Sequence, residues 1–158
     1  MEMLDQIDLR LLELLSENSK QTIKELSARV NLSTSPVFER MKRLEDQGYI
    51  KKYIAILDAE KLGFGLIVFC NIRLKLHDKA VGYQFVNDIL AIPEVVECYN
   101  ISGDFDFLLK VHARDMKHYQ DFVFNKLGSV QGIGSTHSTF VMSVNKLDYS
   151  IKLDLRSL

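Results

Sequence analysis

Residues 22–48 read TIKELSARVNLSTSPVFERMKRLEDQG, and this stretch predicts two helices joined by a tight turn. Thr22 and Glu25 have the spacing of a capping box, in which a hydroxyl and a carboxylate each accept a hydrogen bond from a backbone amide left free at a helix start. Asn31 tolerates the left-handed conformation of a turn residue, so we expect the chain to reverse there. The second helix ends at Gly48 and carries buried apolar residues spaced four and three apart, namely Val37, Met41 and Leu44.

Another helix is predicted ahead of these two. Asp5 is available to cap it, and its apolar residues recur at three- and four-residue steps, at Leu4, Ile7, Leu11, Leu12 and Leu15. In the pair that follows, the small Ser27, the turn residue Asn31 and the β-branched Val37 have the spacing that lets two helices cross steeply. Residues 1–57 are therefore predicted to form a three-helix domain with a helix-turn-helix, a motif whose second helix lies in the major groove of DNA.

The outward side of the second helix of this motif combines hydroxyl, aromatic and charged side chains. The candidate DNA contacts are Ser33, Thr34, Ser35, Phe38, Glu39, Arg40, Lys42 and Arg43. Short hydroxyls at a helix start can reach base edges or phosphates, Phe38 can touch a thymine methyl group, and the basic side chains suit phosphates. Glu39 can accept from cytosine or pair with Arg43. A structural interpretation stays open, because a helix-turn-helix is also a common packing unit and a basic helix face is often only solvated.

The net charge of the whole chain disfavours DNA binding, whereas the charge of residues 20–52 favours it. The 158 residues hold 20 Lys and Arg against 21 Asp and Glu, and a net charge of −1 argues against a nucleic-acid partner, since phosphate binding needs a positive surface. Residues 20–52, however, hold eight Lys and Arg against four Asp and Glu. A local positive segment therefore coincides with the predicted helix-turn-helix.

After Gly48 the pattern changes to that of strands. The run at 49–57 is rich in β-branched and aromatic residues and predicts a strand, and 58–65 reads as a linker. Alternation then predicts four strands, the first with one apolar face formed by Ile72, Leu74 and Leu76, and the others at 94–101, 105–113 and 136–147. Two helices lie between them, the first with Val81, Phe85 and Ile89 four apart, the second capped at Asp115 with Met116, Tyr119 and Val123.

This order, βαββαβ over 66–158, predicts a ferredoxin-like sandwich, an antiparallel sheet with two helices on one face. The fold class of the whole chain is therefore α+β, with the three-helix domain in front. Apolar side chains alternate onto both faces of the predicted sheet, and we expect a partner subunit to cover the face that the helices leave open.

A short polar stretch, Gly103-Asp104-Phe105-Asp106, falls where the second strand of this sheet gives way to the third. Gly and Asp are the expected residues of a hairpin turn, so a structural role is one interpretation. Two carboxylates in a loop could also hold a divalent cation, although no further acidic ligands lie nearby in the sequence. We predict neither a metal nor a cofactor.

Several other classes of protein are disfavoured by the sequence. No run approaches the about 18 apolar residues of a membrane span, and the N-terminus lacks the basic and apolar regions of an export signal, so we expect a cytoplasmic protein. Cys70 and Cys98 are predicted to be buried free thiols. The sequence motifs of nucleotide-binding loops, serine hydrolases and zinc proteases do not occur, and we predict no enzymatic activity.

The first half of the chain resembles one family closely. LDQIDLRLLELLSEN at 4–18 and IKELSARVNLSTSPVFERMKRLEDQGYIKKYIAILDAEKLG at 23–63 are similar to the N-terminal domain of the Lrp/AsnC, or feast/famine, transcriptional regulators. In that family a βαββαβ domain for ligand sensing and oligomerisation follows, with a Gly-Asp-x-Asp stretch that here corresponds to 103–106. The resemblance thus covers essentially the whole chain in the same order.

The resemblance implies a sequence-specific regulator whose assembly or DNA affinity responds to an amino acid or similar effector. It implies that the effector binds in a cleft between dimers, and in this sequence the matching residues are Gly103, Asp104, Asp106, Thr136 and Ser138. It also implies dimers that assemble further into tetramers or octamers on double-stranded DNA. Two alternatives stay open: an architectural DNA-binding protein without an effector, and a small-molecule enzyme or carrier whose helix-turn-helix is only a packing unit.

Overall fold

The computed structural model describes residues 4–76 and 78–149 of the chain. They form two compact units, of which one comprises the described residues up to Ile56 with those from Lys146 onward, and the other runs from Leu57 to Asn145. Within this described part, no helix is both long and apolar enough to span a lipid bilayer. Residues 150–158 of the predicted second domain lie outside the described range.

The first unit contains the three predicted helices, α1 (Gln6–Glu17), α2 (Ile23–Val30) and α3 (Thr34–Asp46). The predicted capping box starts α2: the Glu25 amide donates to the Thr22 hydroxyl at 3.2 Å, and the Thr22 amide donates to the Glu25 carboxylate at 2.7 Å. Asp5 and Asp8 form a second capping box at the start of α1. The three helices enclose one apolar core, formed by Leu11, Leu14, Leu15, Leu26, Val37, Met41 and Leu44.

The turn between α2 and α3 depends on one asparagine. Asn31 adopts the left-handed conformation with φ of 56°, as its residue type predicted, and the Leu32 amide donates to the Ser27 carbonyl at 3.1 Å. Ser27 is buried, as expected for a small residue at a helix crossing. The chain reverses at Asn31, and α3 starts at Thr34, directly after the turn. Both features confirm the predicted helix-turn-helix.

Loss of the capping box of α2 should cost stability. We expect Thr22→Ala to lower the free energy of unfolding by about 1 kcal/mol, because the Glu25 amide would lose its hydrogen-bond acceptor. The measurement is urea unfolding followed by far-ultraviolet circular dichroism. Thr22→Ser, which keeps the hydroxyl, is the matched control, and an equal loss in both variants would contradict the role of the cap.

The second unit has the predicted βαββαβ order. Its elements are β1 (Leu66–Leu74), α4 (Lys79–Leu90), β2 (Val95–Asn100), β3 (Phe107–Ala113), α5 (Met116–Asp121) and β4 (Ile133–Phe140). The helix α5 continues into a π-helical turn at Phe122–Lys126. The strands form one sheet in the order β2-β3-β1-β4, with every neighbouring pair antiparallel. This is the ferredoxin-like arrangement, so the predicted α+β class is confirmed.

The core of the second unit lies between the sheet and its helices. Every second residue of β1 and β3 is buried, at Val68, Cys70, Ile72, Leu74, Phe107, Leu109, Val111 and Ala113. From the helices come Phe85, Ile89, Tyr119 and Phe122, and the rings of Phe85 and Phe107 lie 4.6 Å apart. Cys70 is a buried free thiol, as predicted, and Cys98 is a half-buried one.

Two strand predictions are wrong. The run at 49–57 forms no strand, and within residues 4–76 and 78–149 no other segment pairs with it in a sheet. Its β-branched residues favour an extended backbone, but a strand also needs a neighbour to bond its amides and carbonyls. Ile54, Ile56 and Leu57 accordingly stay exposed.

The last strand is shifted relative to its prediction of 136–147. It starts earlier, at Ile133, and ends at Phe140, where its pairing with β1 stops. The Val141 amide still donates to the Ile67 carbonyl at 3.0 Å, and the next residue, Met142, is 95% exposed. Leu76, predicted to lie on the same apolar face of the first strand as Ile72 and Leu74, is exposed because β1 ends at Leu74.

Candidate nucleic-acid interface and ligand pocket

The helix α3 exposes a continuous polar face on the side opposite its buried residues. Six of the predicted DNA contacts are exposed there or at its start: Ser33, Thr34, Ser35, Phe38, Glu39 and Lys42. Phe38 is 58% exposed, although its ring is apolar. A face that presents hydroxyls, an aromatic ring and a cation is suited to base edges, thymine methyl groups and phosphates.

The other two predicted contacts, Arg40 and Arg43, are engaged within the unit. Arg40 donates to Asp5 at 2.6 Å and to Asp8 at 2.7 Å, and Arg43 donates to the second oxygen of Asp8 at 2.6 Å. The Asp8 side chain is 1% exposed. Burial by itself would raise the pKa of Asp5, but hydrogen bonds from the Asp8 amide and from Arg40 outweigh it and lower that pKa.

Asp8 was not among the residues predicted to matter. Its signal was present in the sequence, because Asp8 stands three residues before Leu11 and seven before Leu15 and therefore lies on the apolar stripe of α1. A carboxylate on such a stripe needs a cationic partner when it is buried. The partner itself could not be found from local spacing, since Arg40 and Arg43 are 32 and 35 residues away.

The predicted effector turn lies between β2 and β3. Gly103 has a φ of +115°, which few residues other than glycine adopt, and the Asp104 side chain beside it is 93% exposed. Asp106 instead ties the turn to β1, because its amide donates to the Ile72 carbonyl at 2.8 Å and its carboxylate accepts from the Leu74 amide at 2.7 Å. Asp106 thus holds the turn in place, and the Asp104 carboxylate is exposed to solvent.

Arg73, which was not among the predicted site residues, supports this turn. Its guanidinium lies 5.7 Å from the ring centre of Phe105, and its Nε donates to the Asp104 carbonyl at 2.7 Å. A second guanidinium nitrogen is 4.0 Å from the Asp104 carboxylate. Arg73 therefore fixes the backbone of the turn and leaves most of the Asp104 carboxylate in solvent.

The two predicted hydroxyl residues of β4 have different surroundings. Ser138 is paired with Cys70 across the sheet, and its hydroxyl lies 2.6 Å from the Tyr119 hydroxyl, which is itself 3.0 Å from the Cys70 sulfur. Burial raises the pKa of both Tyr119 and Cys70. Ser138 is thus joined to the core, and Tyr119 is a partner that the sequence did not indicate.

Thr136, in contrast, lines an open pocket of about 580 Å³. The lining also includes Lys75, Gly132 and Gly128, which lies in the short 3-10 helix Leu127–Ser129 after the π-helical turn. The Lys75 amide donates to the Gly132 carbonyl at 2.8 Å, which holds the start of β4 against the end of β1. Lys75 was not predicted as a site residue, and it lines the pocket together with Thr136.

The turn and the pocket lie at the same end of the sheet. Asp106 bonds Ile72 from the β3 side, and Thr136 pairs with Ile72 from the β4 side. An exposed carboxylate can bind an ammonium group, and a lysine with a hydroxyl can bind a carboxylate. Groups of both kinds, a carboxylate in the turn and a lysine with a hydroxyl around the pocket, thus occur at this end of the sheet.

A helix-turn-helix unit with an exposed recognition face, followed by a ferredoxin-like unit with a polar pocket, defines a ligand-responsive DNA-binding protein. Comparison with known families agrees with both halves. Residues 4–51 match the winged helix-turn-helix DNA-binding pattern, and residues 67–151 match the Lrp/AsnC ligand binding domain. The chain belongs to the Lrp/AsnC family of transcriptional regulators.

Relatives match over nearly the full chain. The DNA-binding transcriptional activator DecR of Escherichia coli strain K12 is 36% identical over 152 residues, which are 96% of this chain and 100% of DecR. The leucine-responsive regulatory protein of Klebsiella pneumoniae is 38% identical, over 88% of this chain and 85% of its own. The structure of the Neisseria meningitidis regulator NMB0573, solved with L-Met, superposes with a TM-score of 0.92 at 35% identity and covers 96% of this chain and 98% of that one.

Proposed function

We propose that this regulator binds specific DNA sites through α3 and that a free α-amino acid changes its DNA affinity or its assembly. The observation that carries the effector class is the set of groups at one end of the sheet, with the exposed Asp104 carboxylate in the turn and with Lys75 and Thr136 in the pocket. An α-amino acid has the matching ammonium and carboxylate groups. The L-Met bound to the relative NMB0573 supports the same class of ligand.

The DNA contacts in this proposal are the exposed residues of the α3 face. Hydroxyls at Ser33, Thr34 and Ser35 would contact bases or phosphates, and Phe38, Glu39 and Lys42 would follow along the groove. Such a protein acts where the chromosome lies, so the proposal includes a cytoplasmic location.

The proposal also includes a homodimer, which would present two recognition helices to the half-sites of a palindrome. Support comes from apolar side chains left partly open on the sheet face away from the helices, including Ile67, Phe69 and Leu108. The run at 51–57 is exposed and, among the described residues, belongs to no sheet, so its backbone is a further candidate for pairing between subunits. We propose that dimers associate through these surfaces and that effector sites are completed where dimers meet in a tetramer or octamer.

The DNA-binding part of the proposal is tested with Lys42→Ala. The lysine is exposed on the α3 face, and we expect its loss to weaken binding to every duplex and to reduce the slope of log affinity against log salt by about 0.9, the contribution of one phosphate contact. Affinity is measured by fluorescence anisotropy across a salt series. Lys61→Ala, outside the helical unit, is the control. An unchanged slope in Lys42→Ala would exclude its phosphate contact.

The effector part is tested with Asp104→Ala. Because this side chain is almost fully exposed, we expect stability and basal DNA affinity to remain those of the wild type, while the response to amino acids is lost. The measurement compares DNA affinity with and without a mixture of the twenty amino acids. Glu60→Ala removes another exposed carboxylate and should respond normally. A normal response in Asp104→Ala would remove this residue from the pocket.

A further inference from the structure

We propose that Asp8 is a positioning residue for DNA recognition: from α1, it fixes the rotation of α3 and keeps Arg40 and Arg43 away from the phosphates. This inference rests on the proposed role of α3 in binding DNA. It assigns a specificity-determining function to a residue that is buried and belongs to α1, outside the helix-turn-helix.

The geometry joins one buried carboxylate to two arginines of the recognition helix. The two oxygens of Asp8 accept from Arg40 at 2.7 Å and from Arg43 at 2.6 Å. Asp5, the cap of the same helix, supplies a second carboxylate to Arg40 at 2.6 Å. These are charge-assisted hydrogen bonds, which are stronger and more directional than bonds between neutral groups.

The spacing of the two arginines explains why the contact controls orientation. Residues three apart on a helix lie on one face but are offset around its axis, so Arg40 and Arg43 approach Asp8 from two directions. A rotation of α3 about its own axis would lengthen at least one of the two bonds. The capping box between Asp5 and Asp8 in turn holds the first turn of α1, from which both carboxylates project.

The same contact changes the charge that α3 presents to DNA. Of the three cationic side chains of α3, Arg40 and Arg43 face carboxylates, whereas Lys42 has no ion-pair partner in the part of the chain that the structure describes. Non-specific binding to DNA depends on the number of phosphates that are neutralised, and base contacts carry the sequence information. By occupying two guanidiniums, Asp8 lowers sequence-independent attraction while it aligns the base-reading face.

The test is Asp8→Asn in the full chain, which keeps the shape of the side chain and removes its charge. The specific duplex is one recovered from genomic DNA by the wild-type protein, and the non-specific duplex is the same sequence with its bases shuffled. We expect specific affinity to fall roughly tenfold, the size of the loss from one mismatched base pair. Because Asp5 still pairs with Arg40 while Arg43 loses the Asp8 carboxylate, we expect non-specific affinity to hold or rise and its salt slope to steepen by up to about 0.9.

A purely structural role is separated by a matched control. Leu15 lies in the same helix and in the core of the unit, and its side chain has no group that could hydrogen-bond an arginine, so Leu15→Ala destabilises the fold without removing a member of the network. Both variants are assayed at a temperature where circular dichroism shows them folded. There we expect Leu15→Ala to keep the wild-type ratio of specific to non-specific affinity and Asp8→Asn to lower it.

If Asp8→Asn does not fold, Asp8→Glu keeps the charge and displaces the carboxylate by one methylene. We expect it to lower the specificity ratio without a steeper salt slope, because the arginines remain paired. A wild-type ratio in the folded Asp8 variant, or a change equal to that in Leu15→Ala, would overturn the inference and leave the proposed function intact. Failure of the wild-type protein itself to discriminate the two duplexes would overturn the proposed function and the inference with it.

Discussion

Replacing both Arg40 and Arg43 by alanine should lower the free energy of unfolding of the helical unit by about 3–5 kcal/mol, the cost of removing the partners of a buried charge. Asp8 would stay in the interior with no cation to balance it, because both of its oxygens are bound by these two side chains. The loss is expected to exceed that from any exposed ion pair. Arg10→Ala, which breaks the partly exposed pair with Glu13 on α1, should cost about 1 kcal/mol or less.

Urea unfolding followed by circular dichroism measures this difference, with Arg10→Ala as the control. A triple variant that adds Asp8→Ala distinguishes an uncompensated charge from lost packing. If the unpaired carboxylate is the cause, the triple variant should be more stable than the Arg40 and Arg43 double variant, although it has one more side chain removed. A double variant no less stable than Arg10→Ala would contradict the network.

The second large effect is expected in the other unit, at Phe85. Its ring is fully buried between α4 and the sheet, with its centre 4.6 Å from that of Phe107. Phe85→Ala should destabilise this unit by about 3–5 kcal/mol, since the removed ring leaves a cavity that the sheet and helix cannot close.

Tyr83→Ala is the matched control for Phe85→Ala. Tyr83 stands two residues earlier on the same helix, but its side chain is exposed. We therefore expect its replacement to change stability by no more than about 0.5 kcal/mol. Guanidinium unfolding monitored by tyrosine fluorescence and circular dichroism checks both variants. A similar small change in both would show that the α4–sheet core does not hold this unit together.

The elements predicted well are those defined by neighbours in the chain. The capping box of Thr22 with Glu25 spans three residues, the turn rests on Asn31 alone, and the apolar spacing of α3 repeats every three to four residues. The alternating burial of β1 and β3 likewise follows from local periodicity. The fold class could therefore be predicted because each of its elements has a short-range signal.

The elements predicted poorly depend on distant partners. The run at 49–57 has the composition of a strand, but pairing is a property of two segments, and among the described residues no second strand lies beside it. In the candidate sites, six of the side chains predicted on the outward side of α3 are exposed, and so is Asp104. The engagement of Arg40 and Arg43 with Asp8, and of Ser138 with Tyr119, arises from tertiary contacts that periodicity does not encode.

Selection of genomic fragments tests whether this regulator binds specific DNA sites under the control of an amino acid. Purified protein is mixed with sheared DNA of its own organism at physiological salt, with and without a pool of the twenty amino acids, and the bound fragments are sequenced. We expect recovery of a shared palindromic site whose enrichment changes when the pool is present. Enrichment of a site that is indifferent to amino acids would contradict the effector, and recovery of no shared site would contradict sequence-specific binding itself.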